Sequence, residues 1–204
     1  MDVADAVAHA LKEEGVEYLF AYPLNPLIEA AADVGIRTIV VRQERIGVHM
    51  ADAVSRVTSG EQIGVFCMQK GPGAENAFGG VAQAHADSVP IVVLPLGFDR
   101  DATHQPPNFD ASVNYRGITK SSERVEHPDA AVGAVRRAFN QARNGRPRPT
   151  LVEFPWDVFE SDATDDVDYQ PTTTHRTAPD PDAVPPVVDA LLDADCPVIY
   201  AGQG

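Results

Sequence analysis

Residues 37–76 decide the fold, and their sequence is RTIVVRQERIGVHMADAVSRVTSGEQIGVFCMQKGPGAEN. The β-branched run at residues 37–42 predicts a buried strand. The segment after it has apolar side chains at helical spacing, which we expect to share one face: Ile46, Met50, Val54 and Val57. Glu44 falls in the first turn of this helix, at the strand end where open parallel sheets carry their ligand sites. A carboxylate there either takes part in chemistry or merely complements the helix dipole.

Residues 62–68, QIGVFCM, predict a second buried strand, which ends in a turn with two glycines at residues 71–73. Glycine lets a ligand approach the backbone closely, and Asn76, which we expect to open the next helix, offers both a donor and an acceptor. The turn is not a Walker loop, because Lys70 precedes the glycines, and no G-x-G-x-x-G is present. It suits a flat heterocycle, although an ordinary strand-to-helix turn has the same composition.

Helix and strand patterns alternate along the first 160 residues. Strands are predicted at residues 16–22, 37–42, 62–68, 90–96 and 150–155. Helices are predicted at residues 3–11, 24–34, 45–58, 74–86 and 128–144. This alternation implies an α/β fold, namely a three-layer α/β/α arrangement with a mostly parallel central sheet. The polar stretch at residues 97–116 is predicted to be a long loop, of the kind that forms lids or interfaces.

Composition changes after Phe159, where a stretch rich in Asp, Thr and Pro begins. We therefore expect one domain at residues 1–160 and an extended linker at residues 161–182. Residues 183–204 then show a short helical pattern and an apolar strand pattern ending in glycine. One helix and one strand cannot bury a core, so we expect this segment to be the truncated beginning of a further domain in a longer polypeptide, which the family resemblance described below implies to be a central domain.

The chain is strongly acidic, with 30 acidic residues against 16 basic ones and a formal net charge of -14. Arginine outnumbers lysine 13 to 3, and aspartate outnumbers glutamate 19 to 11. This bias is typical of proteins from salt-loving organisms, with an ordinary acidic cytosolic protein as the alternative. It argues against binding of nucleic acid or anionic membranes. Because there is neither an apolar membrane-spanning run nor a leader pattern, we expect a cytoplasmic location.

Neither cysteine nor histidine forms a recognisable motif in this sequence. Cys67 and Cys196 lie on predicted strands far apart in sequence, and we expect both to be buried and reduced. The six histidines form no H-x-x-x-H pattern and no Cys/His cluster, so we expect no metal ligands from this chain.

Five sequence blocks occur in order along the chain: VVRQE, HMADAVSRVTSG, GPGAEN, AHADSVPIVVLPLG and ITKSSERVEHPDAAVGAVRRAFNQARNGRPRPTLVEFPWDVF. Together they resemble the N-terminal pyrimidine-binding domain of thiamine diphosphate enzymes. The nearest branch is the group of acetolactate synthase, 2-oxoacid decarboxylases and oxalyl-CoA decarboxylase. The resemblance covers residues 3–157 and implies the thiamine diphosphate-binding fold.

The resemblance also implies roles for individual residues. Glu44 matches the catalytic glutamate that hydrogen-bonds the ring nitrogen of the cofactor's aminopyrimidine and so activates the cofactor. The positions that match the cofactor-binding turns are Pro23, Gly71, Pro72, Gly73 and Asn76. The cofactor carries the chemistry, and the protein positions it.

The sequence departs from the family pattern around this site. Ala21 and Leu24 replace both glycines of the usual phenylalanine-glycine-x-proline-glycine turn, and Gln43 precedes Glu44 where histidine or asparagine is frequent. Gln69 and Lys70 stand where threonine and serine often precede the glycine turn. Lys70 either contacts an anionic substrate or is simply solvated. The long loop supplies three further candidates for substrate contact: Gln105, Asn108 and Phe109.

By this resemblance, the protein acts on a 2-oxo acid, with pyruvate as the default, by decarboxylation, carboligation or both. The family holds Mg²⁺ and the diphosphate with a separate domain that carries a G-D-G motif, which is absent here. Family members are homodimers or homotetramers that share each site between subunits, so we expect this chain alone to be inactive. The alternatives are a noncatalytic or regulatory α/β module and one subunit of a split decarboxylase.

Overall fold

The computed structural model describes residues 1–163, 169–175 and 177–202. Its first compact unit, Met1–Thr174, contains one sheet of six strands. The strands are β1 Tyr18–Ala21, β2 Arg37–Val40, β3 Gly64–Met68, β4 Ile91–Gly97, β5 Ser121–Arg124 and β6 Thr150–Pro155. They lie in the order β2-β1-β3-β4-β6-β5, and every neighbouring pair is parallel. The predicted α/β fold with a mostly parallel sheet is confirmed.

Helices cover both faces of the sheet. They are α1 Val3–Glu13, α2 Leu27–Asp33, α3 Glu44–Val57, α4 Pro72–Ala86, α5 Ala111–Asn114, α6 Ala131–Arg143 and α7 Trp156–Phe159, with short 3-10 turns at Tyr115–Gly117 and Pro128–Ala130. One apolar core lies between the sheet and helices α1, α2, α6 and α7; the second lies between the opposite face and α3, α4 and α5. Alternate residues of β3 enter the two cores. The fold therefore has three layers.

Helix α3 packs closely on β3. A Cβ on Gly64 would come within 1.9 Å of the Ala51 carbonyl oxygen, so glycine is needed for this approach. Besides two acidic residues, the buried residues of α3 have small or short side chains: Gly47, Val48, Ala51 and Ser55. Of the four apolar residues predicted to share a face, Met50 and Val54 are partly buried against the core, whereas Ile46 is 46% exposed and Val57 is 83% exposed. Close helix-to-sheet contact favours small residues over large apolar ones.

Two strands differ from their predictions because they lie at the sheet edges. The segment at residues 37–42 was expected to be buried, but β2 is an edge strand and its Val40 is 55% exposed. The other edge strand, β5, was not predicted, because its sequence SSER contains no apolar residue. Backbone pairing with β6 along its whole length explains its presence. The stretch predicted as the loop 97–116 contains helix α5.

The second unit, His175–Gly204, contains a 3-10 turn at Pro181–Ala183 and helix α8, Val184–Asp193. Cys196 is exposed and residues 197–202 form no strand, which corrects the expectation of a buried strand; this unit has no sheet among its described residues to pair with. Cys67 is buried as predicted. The predicted boundaries at residues 160 and 182 stay predictions, and residues 164–168, 176 and 203–204 lie outside the described ranges. No helix in the described part of the chain is long and apolar enough to cross a membrane.

Candidate active site

Glu44 is the first residue of α3, as its sequence position predicted, and it is only 3% exposed. The loop before it is short: Val41 is buried and donates its N–H to the Ala21 carbonyl at 2.9 Å, and Gln43 is extended at the helix N-cap. Among the described residues, none forms a hydrogen bond or an ion pair with the Glu44 carboxylate. Buried carboxylates normally have such partners, so Glu44 retains acceptor capacity for a donor from outside the chain.

The glycine turn faces this carboxylate. Gly71 caps helix α4 with φ 59° and ψ -113°, a conformation that favours glycine. A Cβ on Gly73 would lie 3.4 Å from Glu44 Oε1 and 2.6 Å from Gln69 Cγ. Position 73 therefore needs glycine, because a side chain there would collide with Gln69 beside the carboxylate. Together, Gly71 and Gly73 give the site one wall of backbone atoms.

Tyr115 is a neighbour of this site that the sequence did not reveal. Its side chain is fully buried, its hydroxyl donates to the carbonyl of Ala74, and its ring meets Phe78 edge to face at 5.2 Å between centroids. Burial, and secondarily the charge of Glu44, raises the pKa of the Tyr115 hydroxyl well above its usual range. Tyr115 is therefore protonated and braces the first turn of α4 near Glu44.

Asn25 is the second residue that the sequence analysis missed. It is 5% exposed, and its side-chain amide donates to the carbonyls of Met68 at 3.0 Å and Leu94 at 3.3 Å. Its side-chain oxygen accepts from the N–H of Leu27 at 3.1 Å, so it also caps α2. An Asn-Pro pair before a helix is a recognisable capping signal, but its long-range bonds are visible only in the fold.

The turn that Asn25 anchors contains two of the residues noted in the sequence. Pro23 is exposed, and Leu24 is 68% exposed with φ 67°. Leu24 stands where the family usually has glycine, yet the backbone keeps a conformation that glycine favours. The chain has therefore preserved the shape of the turn while changing its side chain.

Lys70 lies between two aromatic rings at the end of β3. Its ammonium nitrogen is 5.2 Å from the Phe98 ring centroid and 5.6 Å from that of Trp156. No carboxylate of the described residues pairs with it. Aromatic faces stabilise a cation without neutralising it, so Lys70 keeps its positive charge available to an anion.

The remaining candidates show no contact with Glu44. Asn76 is exposed and lies in the second turn of α4, because that helix begins at Pro72, before the predicted start at residues 74–76. Gln105 is exposed and its amide donates to the Asp101 carbonyl at 2.8 Å, while Asn108 donates to the Ala102 carbonyl at 2.8 Å. Phe109 is partly buried and packs on the core beneath α3 and α4. The described residues contain no group of three or more His, Cys, Asp or Glu side chains that could hold a metal ion.

A comparison with protein families identifies the group to which this arrangement corresponds. The family model described as thiamine pyrophosphate enzyme, N-terminal TPP binding domain, matches residues 1–115, more than half of the chain. The chain belongs to the thiamine pyrophosphate enzyme family. The match includes Glu44, the glycine turn and Tyr115.

Relatives of known function cover nearly the whole sequence. The acetolactate synthase large subunit of Buchnera aphidicola subsp. Acyrthosiphon pisum is 33% identical over 98% of this chain and 37% of its own length. A probable acetolactate synthase large subunit of Methanocaldococcus jannaschii is 32% identical over the whole chain and 36% of its own length. Glyoxylate carboligase of Escherichia coli O157:H7 is 30% identical over the whole chain and 35% of its own length. The chain thus spans a little over a third of these relatives.

A solved structure supports the fold assignment. Benzoylformate decarboxylase from Polynucleobacter necessarius matches 95% of this chain and 37% of its own, with a TM-score of 0.82 and 22% sequence identity. The three-layer architecture with its parallel sheet is therefore that of a thiamine diphosphate-binding domain.

The residues present fit the aminopyrimidine part of thiamine diphosphate. The turn at residues 71–73 places backbone without a side chain beside the Glu44 carboxylate, which suits a flat heterocycle. In its protonated form the ring nitrogen donates to an acceptor, and the buried Glu44 carboxylate has none of its oxygens engaged by the described residues. The diphosphate and its metal ion have no matching ligand set in this part of the chain.

Proposed function

We propose that this chain forms the pyrimidine-binding half of the site in an acetolactate synthase-like thiamine diphosphate enzyme that acts on a 2-oxo acid. The observation that carries the proposal is the buried Glu44 carboxylate, which faces the glycine turn and has no hydrogen-bond or ion-pair partner among the described residues. Decarboxylation and carboligation are both compatible with this half of the site. The diphosphate and Mg²⁺ belong, in this proposal, to a domain outside the sequence or to another subunit.

Glu44 acts as the residue that tunes the cofactor. Its carboxylate shares a proton with the ring nitrogen of the aminopyrimidine, and the protonated nitrogen is then the donor to its free oxygens. Burial strengthens this hydrogen bond, because water does not compete for the carboxylate. When bound, the cofactor supplies an electron-poor ring that stabilises negative charge on the substrate carbon.

The turns around Glu44 position the cofactor. Gly71, Pro72 and Gly73 provide the backbone wall, and Pro23 and Asn76 lie on the neighbouring turns as the weaker members of the proposed binding set. Tyr115 and Asn25 hold these turns through the carbonyls of Ala74, Met68 and Leu94.

Substrate contacts are assigned to residues farther from Glu44. Lys70 is the strongest of them, because its cation is held by Phe98 and Trp156 and retains its charge for a carboxylate of the substrate. Gln105 and Phe109 are the other two, since both lie in the segment that crosses the carboxyl edge of the sheet between β4 and α5.

The functional protein is proposed to be a homodimer or homotetramer with sites shared between subunits. The exposed apolar face of α3, which includes Ile46 and Val57, supports this assembly, because exposed apolar patches mark interaction surfaces. A cytoplasmic location and adaptation to high salt complete the proposal, and the charge of -14 with its excess of Asp and Arg supports the latter.

The test is Glu44→Gln in the full-length protein, with Glu75→Gln as the matched control. Glu75 also lies in the first turn of a helix, but it is exposed. We expect Glu44→Gln to slow exchange of the proton on the thiazolium carbon of bound thiamine diphosphate by roughly a hundredfold or more, and Glu75→Gln to leave it unchanged.

Exchange at the normal rate in Glu44→Gln would refute the role of Glu44. Absence of thiamine diphosphate binding by the full-length wild-type protein would instead favour the noncatalytic module. That alternative draws its support from Ala21 and Leu24, which replace both glycines of the first turn. Binding that appears only after a second polypeptide is added would identify a split decarboxylase.

A further inference from the structure

Glu153 is a second buried carboxylate at the carboxyl edge of the sheet, on β6. It is 1% exposed and accepts two backbone hydrogen bonds, from Ala111 N–H to Oε1 at 3.4 Å and from Ser112 N–H to Oε2 at 3.1 Å. Both amides belong to the first turn of α5. The carboxylate therefore joins strand β6 to the short helix α5, which is also held by a hydrogen bond from Ser122 Oγ to the Ser112 carbonyl at 2.8 Å.

Helix α5 leads directly to Tyr115, which braces the site. The Tyr115 hydroxyl donates to the carbonyl of Ala74, one residue after the glycine that faces Glu44. A continuous set of hydrogen bonds thus connects Glu153 to the turn beside Glu44 through α5. No other acidic side chain of the described residues accepts from the amides of Ala111 and Ser112.

Arg124 is the cation beside Glu153, and it balances the negative charge of the carboxylate only in part. Its Nη1 lies 3.7 Å from Glu153 Oε2 and has no hydrogen-bond partner, while Nη2 donates to the Phe98 carbonyl at 3.0 Å and to Thr103. Gly97 supplies the space for the pair, because a Cβ there would approach both side chains within 3.3 Å. Arg124 also ties down the segment that follows β4.

We propose that Glu153 is a positioning residue of the candidate site: its ionised carboxylate fixes α5, and α5 fixes Tyr115 and the turn that faces Glu44. The inference rests on the proposed function, because cofactor binding is what this bracing serves. Each carboxylate oxygen accepts one N–H, so an amide NH₂ in place of either oxygen would oppose a donor with a donor, and a protonated oxygen would accept more weakly. The neutral side chain therefore holds the two amides less firmly than the carboxylate does.

The surroundings of Glu153 place the protonation of its carboxylate near neutral pH. Burial, and to a smaller extent the charge of Asp110, raises the pKa of Glu153 to about 7. Arg124 and the two amide N–H groups lower this pKa and so offset part of the effect of burial. Behind these groups, Glu126 pairs with Arg124 at 3.1 Å and exposed His104 lies 3.8 Å from Asp110. The hydrogen bonds from Glu153 to α5 are at full strength above this pH and weaken below it.

The experiment measures thiamine diphosphate binding to the full-length protein with Mg²⁺ at pH 6 and pH 8. We expect Glu153→Gln to weaken binding at pH 8 by roughly tenfold and to remove the difference between the two pH values that the wild type shows. Glu126→Gln is the control, because Glu126 contacts the same arginine but is exposed, and it should bind as the wild type does.

Tyr115→Phe tests the route of the effect. If Glu153 acts through Tyr115, the double variant binds no more weakly than the weaker of the single variants. A Glu153→Gln variant that keeps its melting temperature while losing affinity excludes general loss of structure. Unchanged affinity and an unchanged pH profile in Glu153→Gln would overturn the proposal.

Hydrogen exchange separates this inference from the proposed function. The amides of Ala111 and Ser112 should exchange faster in Glu153→Gln than in the wild type at pH 8, whether or not a cofactor binds. Equal exchange rates would refute the positioning role. A wild-type protein that binds no thiamine diphosphate would refute the proposed function, and the role of Glu153 would then be decided by these exchange rates.

Discussion

At the scale of single residues, Leu24 shows a conflict between side chain and backbone. Its φ of 67° lies in the left-handed region, where a Cβ costs on the order of 1 kcal/mol and glycine costs little. Its side chain is 68% exposed, so burial does little to offset this cost. Asn25, immediately after it, is anchored to Met68 and Leu94 and holds the turn in place.

Leu24→Gly should therefore stabilise the protein. We expect the free energy of unfolding to rise by up to about 1 kcal/mol, since relief of the strained backbone exceeds the entropy that glycine adds to the unfolded chain. Leu24→Ala is the control, because it removes the side chain but retains the Cβ. Denaturant unfolding measures both variants, and an equal effect of glycine and alanine would show that the backbone is not strained.

Glu153 makes a separate prediction for stability against pH. Its pKa is about 7 in the folded state against 4.5 ordinarily, so the folded protein binds more protons than the unfolded chain between these values. The contribution of Glu153 to the free energy of unfolding should accordingly fall by about 3 kcal/mol as the pH rises from 4.5 to 7.

Glu153→Gln should remove this part of the pH dependence. Urea unfolding at pH 5 and pH 8 measures the free energy of unfolding of both proteins. This free energy should decrease less from pH 5 to pH 8 in the variant than in the wild type. Identical losses would mean that Glu153 is ionised throughout this range. Weaker cofactor binding combined with better-preserved stability at pH 8 would distinguish a positioning residue from one that merely supports the fold.

The residues of the site were predictable to different degrees. Glu44 and the glycine turn were visible in the sequence because each lies at a strand-to-helix junction that local patterns define. Tyr115 and Asn25 were not, because their partners are 41 to 69 residues away in sequence. Glu153 was hidden inside an apolar run, and only the fold places its carboxylate under α5.

At the scale of elements, apolar patterns predicted the strands that lie inside the sheet. Strands β3, β4 and β6 are buried along their whole length and were all predicted. Edge strand β5 was missed because its sequence carries no apolar signal, and the apolar pattern of α3 did not reveal that Ile46 and Val57 are exposed. Small residues such as Gly47 allow α3 to pack closely on the sheet. A search for apolar side chains at regular spacing does not detect such residues.

The outer face of α3 makes a prediction about assembly. Val57 is 83% exposed, and Val57→Glu should weaken self-association of the full-length protein at least tenfold, because it places a charge in an apolar interface. Val113→Glu is the control, since Val113 is an exposed valine on another helix. Analytical ultracentrifugation measures both, and an unchanged oligomer in Val57→Glu would exclude this face as the interface.

At the scale of the whole molecule, the topology explains why the candidate residues meet. In a parallel sheet, the carboxyl ends of β1, β3, β4 and β6 share one edge. The turns after β1 and β3 carry Asn25, the glycine turn and Lys70, and the two aromatic partners of Lys70 follow β4 and β6. The short connection after β2 adds Glu44 at the same edge. The length of this sequence limits how much of the site it can supply, since it spans a little over a third of the length of these relatives.

The most direct test of the central claim is nitrogen NMR of thiamine diphosphate, labelled at the aminopyrimidine ring and bound to the full-length protein. With Glu44 present, the signal of the ring nitrogen should move towards that of a protonated nitrogen, because the carboxylate shares a proton with it. In Glu44→Gln the signal should stay at the position of the unprotonated ring. A signal that is the same in both proteins would contradict the account.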